Sequence, residues 1–113
     1  MNTLLEKLEG LVARYEEVGT LITDPAVIGD QARYVRLTKE YKELEDLMSA
    51  RKEYATLLDN LEEGKDLLVN EQDPEMKEMA REEVAACEAK IPQIEERIKL
   101  MLAQLQIFLV NQR

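Results

Sequence analysis

Apolar residues recur along most of the chain at alternating steps of three and four, the spacing that lines one face of a helix. Leu4, Leu8, Leu11, Tyr15, Val18 and Ile22 form the first series, which stops at Thr23-Asp24-Pro25. Thr3 and Glu6 stand at the spacing of a capping box and open directly into it. The pattern predicts a first helix over about residues 3–23. Asp24 and Pro25 are suited to the cap and first turn of a short segment that follows.

Asp30 is a second capping candidate. Tyr34, Leu37, Tyr41, Leu44 and Met48 then resume the rhythm, Arg51 interrupts it, and Tyr54, Leu57, Leu58, Leu61 and Leu68 carry it on. These positions predict one helix over about residues 30–69, roughly 60 Å long at 1.5 Å per residue. Gly64 inside it costs about 1 kcal/mol relative to alanine. The sharpest punctuation is Asn70-Glu71-Gln72-Asp73-Pro74, where Asp73 can cap and Pro74 can occupy the first helical position.

Ala80, Val84, Cys87, Ile91, Ile94, Ile98, Met101, Leu105 and Phe108 form the longest strict series and predict a third helix over about residues 74–108. Pro92 lacks an N–H and crowds the carbonyl of Glu88, so the helix is expected to bend there and continue. Two long helices joined by a tight turn make an antiparallel, coiled-coil-like hairpin. The expected fold is therefore all-α, an elongated three-helix bundle. In it the shorter N-terminal helix packs on the hairpin, within a single helical domain over residues 1–113. A two-helix arm is expected over about residues 52–87.

Composition narrows the possibilities. Only 4% of residues are aromatic while 35% are charged, a balance that suits long, solvent-exposed helices better than strands. The net charge of −9 repels phosphate backbones and anionic membranes, so direct binding to naked nucleic acid is not expected. Between Asp59 and Glu88 eleven acids face three bases, which concentrates −8 on the expected arm. Such a surface keeps an arm solvated and can also steer a basic protein. No run approaches the ~18 apolar residues of a membrane span and the first residues lack a basic leader, so the expectation is a cytoplasmic protein.

Candidate chemistry is sparse. There is no histidine, and Cys87 is the single cysteine, which leaves no disulfide and no multi-cysteine metal site. Cys87 falls on the apolar stripe and is read as a small core residue. Gly-rich phosphate loops, nucleophile elbows and triads are absent, so the chain is read as non-enzymatic, with no catalytic residue, no metal ligand and no cofactor. Glu62, Glu63, Glu82 and Glu83 are expected on solvated faces. Arg33, Arg36, Lys39 and Lys42 are read as surface ion-pairing partners of the interleaved Glu40, Glu43, Glu45 and Asp46. Met76 and Met79 are read as packing across the arm. The partner-binding candidates are Asp73, Pro74, Glu75, Met76 and Glu78, at the acidic turn.

Several segments carry a family likeness: Leu5-Glu6-Lys7-Leu8-Glu9-Gly10-Leu11, Arg14-Tyr15-Glu16-Glu17-Val18, Leu21-Ile22-Thr23-Asp24-Pro25, Lys39-Glu40-Tyr41-Lys42-Glu43-Leu44 and Asp73-Pro74-Glu75-Met76-Lys77-Glu78-Met79-Ala80. In order and spacing they resemble the N-terminal domain of the bacterial peptide chain release factor 1 family, class I release factors, over about residues 4–100. The resemblance implies the helical first domain of a translation termination factor that reads UAA and UAG, a domain that lies near the stalk base of the large ribosomal subunit. The family's Gly-Gly-Gln hydrolysis motif and Pro-x-Thr codon-reading motif are missing here, so no catalytic or decoding role passes to any residue.

After Leu100 the family continues with a Pro- and Asp-rich connection. This chain reads Met101-Leu102-Ala103-Gln104-Leu105-Gln106-Ile107-Phe108-Leu109-Val110. The expectation is a truncated or stand-alone first domain acting as a ribosome-interaction module, whose apolar tail favours a homodimer. The alternatives are a free-standing coiled-coil adaptor and an accessory part of a release factor assembled from separate chains to hydrolyse peptidyl-tRNA.

Overall fold

The computed structural model describes residues 2–112. Among them five helices follow one another: α1 (Thr3–Glu9), α2 (Val12–Leu21), α3 (Pro25–Ile28), α4 (Gln31–Asn70) and α5 (Pro74–Val110). No strand occurs among the described residues, and the fold is all-α, with the long α4 packed against α5 and the shorter N-terminal helices.

The expected first helix is divided in two. Gly10 ends α1, its N–H donating to the carbonyls of Glu6 and Leu8, and Leu11 starts α2 without a side-chain cap. Glycine is among the weakest helix formers, so the first series of apolar residues breaks at Gly10 while keeping its face. The start of α1 also differs. Asn2 is the cap, and its Oδ1 accepts from Leu5 N–H at 2.8 Å. The other caps fall where the spacing placed them. Asp24 Oδ1 accepts from Ala26 N–H at 2.9 Å, Asp30 Oδ1 from Arg33 N–H at 3.2 Å and Asp73 Oδ1 from Glu75 N–H at 2.9 Å. α5 runs through Pro92 without a break.

The chain packs as two compact units. One joins the chain up to Arg51 with the stretch from Ile98 onward, and the other is Lys52–Arg97. In the first, Leu8, Val18, Val27, Leu37, Leu44, Leu47, Ala50, Ile98 and Leu105 are buried. Each large aliphatic side chain there contributes about 1.5–3 kcal/mol by leaving water. Arg51, which interrupts the apolar series of α4, reaches Glu9 on α1 and donates from Nε at 2.9 Å and Nη2 at 2.5 Å.

The second unit is a helical hairpin whose core is Tyr54, Ala80, Cys87 and Ile94. Tyr54 is wholly buried, and its hydroxyl donates to Glu95 at 2.6 Å, which spares the ring's polar end an unpaired burial. Arg97 closes against Glu53 at 2.5 Å. Gly64 is there for close approach: a Cβ at this position would lie 2.8 Å from Val84 Cγ2. The glycine that reads as a weakness in α4 sits where α5 approaches it closely.

Candidate partner-binding surfaces

The acidic turn of the hairpin is built by its own carboxylates. Glu71 Oε1 accepts from the N–H groups of Gln72 at 3.0 Å and Asp73 at 3.1 Å, and the Asp73 carbonyl accepts from Lys77 N–H at 3.0 Å. Pro74 occupies the first position of α5, where its missing N–H is no loss. Of the five candidate residues, Asp73 is therefore committed to capping and Glu78 accepts from Arg81 at 2.8 Å. Pro74, Glu75 and Met76 are exposed.

The methionines do not pack across the hairpin. Met76 is 39% exposed and Met79 is 63% exposed, and with Leu67 they line a shallow groove beside Gly64 and Ala80. Glycine and alanine at these positions bring the helix backbones close together, and the longer side chains are left at the surface. Adaptable thioether side chains at a surface suit protein contact. Glu62, Glu63, Glu82 and Glu83 are exposed. Cys87 is buried, its thiol donating to Glu83 Oε1 at 3.4 Å, and burial pushes its pKa up, with the Glu83 carboxylate acting in the same direction. A thiol held protonated in this way is a poor nucleophile.

A second surface lies in the other unit. Arg14 on α2 donates from Nε and Nη2 to the two carboxylate oxygens of Glu40 on α4, at 2.6 and 2.8 Å, and also pairs with Glu17. Glu40 is 5% exposed and is the one buried charged residue among those described. The pairing holds the Arg14 pKa above its ordinary value, with Glu40 as the largest cause and desolvation opposing it. Beside this pair a groove opens between α2, α4 and the end of α5.

Surface ion pairing accounts for only part of the basic series on α4. Lys42 pairs with Glu45 at 3.5 Å and Asp46 at 3.1 Å. Arg33, Arg36 and Lys39 have no ion pair among the described residues. Glu40, the nearest acid to Arg36 and Lys39 in the sequence, is turned into the core toward Arg14. Reading the sequence missed this pair, although one signal for it was present. Leu37, Glu40, Leu44 and Leu47 are themselves spaced by three and four, which places Glu40 on the buried stripe.

Among the described residues no group of His, Cys, Asp and Glu could hold a metal, and no helix is long and apolar enough to cross a membrane.

Residues 11–106 match the PCRF domain family. The chain is 66% identical over 101 residues to a peptide chain release factor 1 from Bacteroides fragilis, 64% identical over 101 residues to that of Bacteroides thetaiotaomicron, and 39% identical over 99 residues to that of Acidobacterium capsulatum. These alignments cover 88–89% of this chain and 27% of each relative, so the chain spans about a quarter of the length of the proteins it matches. No solved structure matches it. With its family model matched from the start of α2 almost to the end of α5, the chain belongs to the PCRF domain family.

Proposed function

We propose that this chain is the N-terminal domain of a translation termination factor of the release factor 1 type, and that it serves as a non-catalytic module for docking on the ribosome in the cytoplasm. The observation that carries this reading is the 66% identity to a peptide chain release factor 1 over 101 residues. On this reading, recognition of UAA and UAG and hydrolysis of peptidyl-tRNA belong to parts of a release factor outside these residues. The chain acts as one functional domain over residues 1–113 and contacts the base of the large-subunit stalk. The exposed part of the acidic turn, Pro74, Glu75 and Met76, supplies the contact, with Asp73 and Glu78 shaping it. An acidic hairpin carrying fourteen acids and six bases over residues 52–97 supports an encounter with a basic ribosomal protein surface.

The same chain self-associates through the end of α5. Leu100, Ala103, Ile107 and Val110 are spaced by three and four and are exposed, the three large ones at 60%, 61% and 45%, and no charged residue occurs from Leu100 to Gln112. A charge-free, exposed apolar stripe supports pairing with a second copy.

The experiment combines co-sedimentation with ribosomes and a peptide-release assay on stop-codon-programmed ribosomes. The expected result is pelleting with the large subunit at low salt, weakened by Glu75→Lys with Met76→Ala, and no release by the chain alone. Failure to pellet, or release by the purified chain, would overturn the reading.

A further inference from the structure

The groove in the first unit has a cavity volume of about 630 Å³ and two chemically distinct parts. Leu21, Leu37, Phe108 and Leu109 give it apolar walls, and Arg33 and Arg36 stand on it one helical turn apart along α4. Arg14, Glu17 and Glu40 line it too, and their charges are spent on one another, since Arg14 pairs with both carboxylates. Arg33 and Arg36 are both exposed and have no ion pair among the described residues. Two uncommitted guanidinium forks beside an apolar cleft form a bipartite surface, since the planar fork matches a carboxylate with two parallel hydrogen bonds.

Charge decides which anion suits this surface. The unit that holds the groove carries ten acids and nine bases, close to balance, whereas the hairpin unit carries most of the chain's −9. An extended polyanion such as RNA needs a track of cations longer than Arg33 and Arg36 provide. A short ligand with two carboxylates needs only Arg33 and Arg36. The apolar walls add a preference that a phosphate backbone cannot use.

We propose that this groove is a docking site for a short acidic peptide segment of a partner protein, one that carries a bulky apolar side chain. That side chain seats among Leu21, Leu37 and Phe108 while flanking carboxylates pair with Arg33 and Arg36. The site is independent of ribosome docking by the acidic turn, because it lies in the other unit and has the opposite charge preference.

The test uses a displayed library of random peptides of about twelve residues, selected on the intact chain, followed by fluorescence polarisation with the enriched peptides. Enriched sequences are expected to combine Asp or Glu with Leu, Ile or Phe. Arg33→Gln with Arg36→Gln is expected to weaken them about tenfold or more, while Met76→Ala leaves them unchanged. Arg33→Glu with Arg36→Glu should abolish them, with circular dichroism confirming that each variant keeps its helix content. No enrichment, enriched peptides without acids, equal binding by the arginine variants, or tighter binding by a single-stranded RNA of similar length would each overturn the proposal.

Discussion

Arg14 and Glu40 are joined by two parallel hydrogen bonds, at 2.6 and 2.8 Å, from α2 to a carboxylate that is only 5% exposed. The pair costs desolvation on the Glu40 side, and Arg14, at 40% side-chain exposure, keeps part of its hydration. Removing one partner is therefore worse than removing both. Arg14→Ala should destabilise the chain by about 2–3 kcal/mol, below the usual figure for a fully buried pair because water screens the arginine. Arg14→Met with Glu40→Met should recover most of that loss, as measured by urea denaturation.

Tyr15 on α2 stacks on Tyr41 of α4, with ring centroids 5.1 Å apart and hydroxyls at 3.2 Å. The hydrogen bond to Tyr41, assisted by burial, pushes the Tyr15 pKa up from 10.0 to about 12. A raised folded-state pKa means that the protonated phenol favours folding, so its contribution is complete below pH 10, where the unfolded chain also keeps its proton. It declines as pH rises through 10 and is lost above about 12. The native protein should therefore show a late tyrosinate absorbance step that Tyr15→Phe removes. The same variant should make the fall in melting temperature above pH 10 shallower.

The long-range layout of the chain was legible because burial is periodic. Ile94, Ile98 and Leu105 are all buried and all lie on one stripe of three-and-four spacing, as the sequence alone indicates. Local energetics were less so. The first helix breaks at Gly10, because a single poor helix former there outweighs an intact apolar stripe. Glu40 was hidden by its type, since a glutamate beside basic residues reads as solvated unless its partner on another helix is known. Met79 reads as packing across the arm and is 63% exposed, because the closeness of Gly64 and Ala80 to the neighbouring helix leaves no room inside for a long side chain.

Cys87 bears on the dynamics of the hairpin. It is buried, hydrogen-bonded to Glu83 and has its pKa raised by desolvation. A thiol reagent can reach it only when the hairpin opens, so its reaction rate should be far below that of free cysteine and should track global stability as urea is added. Glu83→Gln should leave the rate nearly unchanged, because burial is the larger cause of protection. A fast reaction in native conditions would show that the hairpin opens locally without unfolding.

Gly64 and Val84 present a contest between backbone preference and packing. Alanine at position 64 would gain about 1 kcal/mol from helix propensity. Its Cβ, however, would sit 2.8 Å from Val84 Cγ2, and the α5 backbone is also close, with Ala80 O at 3.7 Å and Val84 N at 3.8 Å. Val84 is β-branched and stiff at χ1, so it cannot swing its methyl aside cheaply, and forcing a methyl group into packed space costs about 1–3 kcal/mol. Packing should win, and Gly64→Ala should lower stability by about 1 kcal/mol after the propensity gain is set against it. Val84→Ala alone should also destabilise, since it removes half-buried methyl groups that pack against α4 at Gly64. Together the two changes should cost less than their sum, because the new methyl enters the space that valine leaves. A double-mutant cycle in urea reads that coupling directly, and strict additivity would mean that the two helices separate instead of clashing.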